Sequence, residues 1–185
     1  LKREAEIWKQ IVPKERQGLV PYCVSFSLLN VVEMGLLDKK INFNFSDLWL
    51  GRMSNTSKQG NTLQDVCEAF RKLGCVDEKD NPWPQMTGDF EMDWAIIQML
   101  VLSPKEKALE TFKRVLTGFS HSWVIGDVLV RKNALDHSPL QIAIPIYSNY
   151  SSAREDKAIV PLNEVPQAHH AVVLWKIDQK NQQHI

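Results

Sequence analysis

Hydrophobic positions are spaced in three different ways along the 185-residue chain. From Val24 to Leu37 they crowd into one run whose only charge is Glu33, which predicts a helix buried on nearly every side. From Leu63 the spacing opens: Leu63, Val66, Cys67 and Phe70 fall on one helical face. Thr62 stands at the N-cap with Asp65 three residues on, and Gly74 ends the pattern. Ser46-Asp47 predicts a capped turn of helix within 42–51. Ser103 followed by Pro104 predicts a helix running to about residue 116. Beyond it the period shortens to two. Val124–Val130, Leu140–Tyr147 and His170–Ile177 read as strands, with Pro145 marking an edge or bulge. Residues 52–61 and 77–94 read as loop and irregular structure. Helices first and strands later imply an α+β fold of two lobes, not a βαβ array.

Composition narrows the partners. The 22 basic and 22 acidic residues cancel and are interspersed, which argues against nucleic acid or an anionic membrane surface. The apolar runs are too short to span a bilayer. Three cysteines, Cys23, Cys67 and Cys75, cannot all pair with one another, so no disulfide scaffold is expected and a reducing compartment is the easier reading. The chain begins with Leu1 and reads as a piece of a longer one.

The chemistry concentrates in Gln17–Ser27. A turn containing Gly18 and Pro21 delivers Cys23 to the start of the buried helix. Unpaired N–H groups and the positive end of the helix dipole favour thiolate over thiol there. Gln17, six residues upstream, can fold back over the same spot and donate to an oxyanion. Cys67 lies within an apolar stripe and reads as a core thiol. A thiolate nucleophile needs a base, and among five histidines His169 and His170 open a strand, a rigid place for one. Adjacent histidines on a strand face opposite ways, and no zinc-type spacing is present, so no metal or other cofactor is expected.

These pieces, in this order, resemble the papain-like cysteine peptidases, the family of papain and the cathepsins. Gln17-Gly18 with Cys23 six residues after the glutamine, Phe26-Ser27, Gly60 ahead of the Leu63–Leu73 helix, and His170-Ala171-Val172 after Gln141-Ile142-Ala143-Ile144 carry the likeness. The resemblance implies one papain-like catalytic domain over residues 1–185. A helical N-terminal lobe takes about residues 1–100 and an antiparallel β-rich lobe about 101–185, with the active-site cleft between them. It implies Cys23 as nucleophile, His170 as base and then acid, Gln17 as oxyanion donor, and Gly60 and Asn61 as contacts to substrate backbone. A peptide or protein substrate follows, with a pro-segment or an inhibitor protein as further partners.

The chain departs from the family pattern at three points. Val24 follows the cysteine where the family has tryptophan. Val20 replaces a disulfide cysteine. No Asn-Ser-Trp motif follows the histidine's strand, and the position opposite His170 in a following strand would fall beyond Ile185. A chain continuing past Ile185 is the expectation. Two other functions stay open: a catalytically silent papain-like module that binds peptide or protein, and a Cys–His amidase or acyltransferase.

Overall fold

A single apolar helix, α1 (Cys23–Asp38), forms the axis of the molecule. The computed structural model describes residues 16–124, 126–146, 168–174, 177–178 and 183–184. Val24, Phe26, Leu28, Leu29 and Leu36 of α1 are all buried, and so are three of its polar residues. Each of those three has a partner. Ser25 Oγ donates to the Tyr22 carbonyl at 2.9 Å, Ser27 Oγ donates to the Val24 carbonyl at 3.2 Å, and Glu33 Oε1 accepts from the Phe45 N–H at 2.8 Å.

Helix α2 (Asp47–Met53) packs on α1 and starts at Ser46, whose hydroxyl accepts from the Trp49 N–H at 3.1 Å. Trp49 is fully buried, and its indole N–H donates to the Ser103 carbonyl at 2.8 Å. Helix α3 (Leu63–Leu73) follows the expected stripe. Thr62 Oγ1 accepts from the Asp65 N–H at 3.0 Å, and Val66, Cys67 and Phe70 are buried. It ends at Gly74, whose φ of +72° lies in the left-handed region. A β-carbon there would stand 2.7 Å from the Ala108 carbonyl oxygen, so the glycine also admits the close approach of helix α5 (Lys105–Val115).

Two elements differ from the expectation. Within the stretch read as irregular, helix α4 (Phe90–Met99) begins after Asp89, whose carboxylate accepts from the Met92 N–H at 2.8 Å. The expected strand at 124–130 is not formed: helix α6 (Val128–Leu135) starts there instead. Asp127 Oδ1 accepts from the N–H groups of Leu129 and Val130 at 2.8 and 3.2 Å, which satisfies the first turn and outweighs the β-propensity of Val-Leu-Val. Leu129 and Val130 remain exposed, so no pleated face is buried there.

Strands β1 (Leu140–Ile146) and β2 (Ala168–Leu174) pair antiparallel, with Leu140 opposite Leu174 and Ile144 opposite His170. Both pack on α1. Strands β3 (Ile177–Asp178) and β4 (Gln183–His184) form a second antiparallel pair with Ile177 opposite His184. The expected strand residues Tyr147, Trp175 and Lys176 lie outside the described residues. The larger core cluster gathers Leu29, Leu36, Phe45, Trp49, Phe70 and Val76 between the helices. The smaller one gathers Val20, Tyr22, Phe26, Leu48 and Ile97 around the entry to α1. No helix among the described residues is long and apolar enough to cross a membrane.

The entry to α1 depends on one missing side chain. A β-carbon on Gly51 of α2 would stand 2.2 Å from two ring carbons of Tyr22, the residue just before Cys23. Gly51→Ala is therefore expected to lower stability by about 1–3 kcal/mol through overpacking. The gain in helix propensity, about 1 kcal/mol at most, does not offset this. A urea midpoint unchanged by the substitution would contradict the contact.

Candidate active site

Cys23 is the first residue of α1, and the turn before it is built to hold that helix end open. Tyr22 occupies the N-cap and supplies no side-chain cap, so the first N–H groups of α1 keep their donors for another partner. No acidic residue stands in the first turn to oppose a thiolate. The Tyr22 N–H donates to the Val20 carbonyl at 2.9 Å, closing a tight turn. Gln17 Nε2 donates to the same Val20 carbonyl, which fixes the amide beside the helix start. Gly18 has φ +75°, and a β-carbon there would meet Met86 Cγ at 3.0 Å, so a glycine is needed to bring Gln17 back over the turn.

Strand β2 supplies the other wall. Gln17 and Gly18 from the turn, Cys23 and Ser27 from α1, and His170 from β2 line one open cleft of about 400 Å³. His170 is half-buried while its neighbour His169 is exposed, and adjacent residues on a strand face opposite ways. Burial disfavours the imidazolium and holds the His170 pKa below the ordinary histidine value. Burial thus favours the neutral ring, the form that a general base needs. The arrangement presents a thiol, a neutral imidazole and an amide donor to a single space, the components of acyl transfer.

Gly60 and Asn61 do not line this cleft. Gly60 has φ +99°, and a β-carbon there would stand 3.9 Å from Pro21, in the cysteine turn. The Asn61 side chain is spent inside its own loop. Its Nδ2 donates to the Ser54 carbonyl, Ser54 Oγ and Thr56 Oγ1 at 2.9, 3.1 and 3.2 Å, and its Oδ1 accepts from the Thr62 N–H at 2.7 Å. The structure thus brings together Gln17, Cys23 and His170, and gives the Asn61 side chain the work of shaping the loop. Ser27, named as part of the Phe26-Ser27 motif but given no role, and Asn30, not singled out at all, also line the cleft. They lie three or four residues from Cys23 and Ser27 on one helical face, a signal that a projection of α1 carries. Among the described residues no group of His, Cys, Asp and Glu is placed to hold a metal ion.

The other two thiols sit in different surroundings. Cys67 is buried, and its pKa is pushed up to about 11 by burial, with the Glu68 carboxylate adding to the shift. Cys75 is fully buried and its pKa is raised well above the ordinary thiol value, again chiefly by burial. Its Sγ donates to the Ser46 carbonyl at 3.4 Å. Cys23 is partly exposed, and all three are free thiols.

Comparison with known proteins gives the fold a class. No family model and no curated protein matches the chain. Its likeness is to solved structures. Xylellain, a cysteine protease from Xylella fastidiosa, aligns over 94% of this chain and 70% of its own, with a TM-score of 0.74 at 16% identity. A cysteine protease of Carica candamarcensis in complex with E-64 aligns over 91% of this chain and 74% of its own, with a TM-score of 0.62 at 15% identity. Bromelain from Ananas comosus in complex with the same inhibitor aligns over 96% of this chain and 77% of its own, with a TM-score of 0.59 at 13% identity. The chain has the papain-like fold, α+β, with six helices and two antiparallel strand pairs among its described residues.

The environments of the three thiols predict selective alkylation. Iodoacetamide at neutral pH is expected to label Cys23 alone in the folded protein and all three cysteines in denaturant, counted by mass. Native labelling of Cys67 or Cys75 at the rate of Cys23 would contradict the packing described.

Proposed function

We propose that this chain is a papain-like cysteine peptidase. The observation that carries the reading is the single cleft shared by Cys23, at an uncapped helix start, and His170, on a strand from the far end of the chain. The likeness in fold to three cysteine proteases supports it.

In this reading Cys23 Sγ attacks the carbonyl carbon of a peptide bond while His170 takes the thiol proton. The tetrahedral oxyanion accepts hydrogen bonds from the Cys23 backbone N–H and from Gln17. A glutamine amide carries two N–H groups, so the one given to Val20 anchors it and the other remains to donate. Collapse of the intermediate breaks the C–N bond, and His170 protonates the departing amine. His170 then takes a proton from water, which attacks the thioester, releases the carboxylic acid and returns the thiol of Cys23. Gly60, in the loop against Pro21, would hold substrate backbone at the edge of the cleft, with Asn61 shaping that loop.

The test is peptide hydrolysis by the wild-type protein and two variants. Cys23→Ala is expected to abolish turnover, and Gln17→Ala to slow it about 10²–10³-fold, the effect of losing one oxyanion donor. A wild-type protein that binds peptide without turnover, with a Cys23 thiol of ordinary reactivity, would instead mark a binding module.

The pH profile follows from His170. The base works in its neutral form, and burial lowers its pKa. The neutral form therefore persists to lower pH, and the acid limb of kcat/KM is expected below the unperturbed histidine value of about 6.5. An acid limb above that value would count against His170 as the base.

A further inference from the structure

Strand β1 reads Leu-Gln-Ile-Ala-Ile-Pro-Ile, apolar but for one residue. That residue, Gln141, reaches across to α1. Its Nε2 donates to the Val24 carbonyl at 2.8 Å and to Ser27 Oγ at 2.8 Å. Its Oε1 accepts from Cys67 Sγ on α3 at 3.7 Å. Both amide hydrogens are thus used, and the two donated bonds end on residues beside the nucleophile. Val24 directly follows Cys23, and Ser27 lines the same cleft. On its own side Gln141 stands opposite Val173 in β2, three residues along from His170.

We infer that Gln141 is a positioning residue, which holds the strand pair bearing His170 in register with the helix start bearing Cys23. The inference rests on the reading of Cys23 and His170 as the reacting pair. Apolar contact between β1, β2 and α1 is strong but nondirectional, so it resists separation and does little against sliding. Hydrogen bonds fix direction and distance, and an amide buried without partners is costly. Three bonds from one side chain to two helices therefore select one position of the strands along α1. Ser27 Oγ itself bonds the Val24 carbonyl, so the three groups form a closed triangle on the first turn of the helix.

The test is the rate at which iodoacetamide alkylates Cys23 as a function of pH, read by mass on the Cys23 peptide. Wild type, His170→Ala, Gln141→Leu, Ser27→Ala and the Gln141→Leu/Ser27→Ala double variant are compared. Gln141→Leu keeps the bulk and removes the bonds. It is expected to slow alkylation roughly tenfold to a hundredfold, as a misplacement near 1 Å does, and to move the pH profile toward that of His170→Ala. Ser27→Ala is expected to slow it less, and to have no further effect in the Gln141→Leu background, because the two residues share a bond. Labelling of Cys67 and Cys75 in the same digest reports folding. If Gln141→Leu exposes them, the decision passes to Ser27→Ala, whose wild-type rate and profile would overturn the inference. Wild-type behaviour of a folded Gln141→Leu would also overturn it, with the reacting pair left standing. A wild-type Cys23 whose rate is indifferent to His170→Ala would overturn both.

Discussion

The burial of α1 is the constraint on which the other elements depend. A helix with Val24, Phe26, Leu28, Leu29 and Leu36 out of water is enclosed over most of its first half, so it has to be wrapped. Each such side chain contributes about 1.5–3 kcal/mol when fully buried. No surface ion pair among the described residues competes with that sum, since exposed pairs such as Lys58–Glu91 contribute about 1 kcal/mol at most. Helices α2 and α3 cover one side of α1 and the strands β1 and β2 cover another. The end of such a helix is where its backbone can still meet solvent. A cysteine at its first residue is therefore half-open by construction, beside N–H groups that no side chain caps.

The same constraint sorts the three thiols. Cys67 sits mid-helix on an inward face and Cys75 follows the Gly74 stop into the core. Both lose water without gaining a cation or a free helix start, and their pKa values rise. Cys23 differs in place, not in residue type. Reactivity in this chain is thus a property of where the turn before α1 stops, and Gly18, Tyr22 and Gly51 set that stop by what they allow to pack.

Much of the fold was legible because local signals agreed with packing. The α1 run, the α3 stripe with its Thr62 cap and Gly74 stop, and the alternation of β1 each had one consistent period. The failures fall where signals disagreed. In α4 only Asp93 and Ile97 are buried, while Met92 and Met99 are exposed. Its inward face is partly a carboxylate that binds Thr87 and Gly88, so no apolar stripe announces the helix. At the start of α6 the run Val128-Leu129-Val130 is too short to set a period, and the Asp127 cap decided the outcome. The site shows the same division. Gln17, Cys23 and His170, which the family resemblance singles out where spacing alone is weak, line one cleft. The inward turn of Asn61 depends on loop hydrogen bonds that no spacing reveals. Gln141 did carry a signal, a lone amide in an apolar strand, since such a group has to find partners.

The site is therefore a product of packing between layers, not of either layer alone. The turn and α1 place Cys23 at an uncapped helix start. β2 presents a histidine, and burial lowers its pKa. That burial acts in two directions. It keeps the imidazole neutral, as a base must be, and it penalises the imidazolium that forms once the proton is taken. A neighbouring thiolate or oxyanion offsets this second cost, and it does so only at short range, because the attraction between opposite charges falls as they separate. The chemistry thus demands a fixed spacing between α1 and β2, a demand that apolar packing meets only loosely. A polar tie at Gln141, placed on the helix end that carries Cys23, answers it.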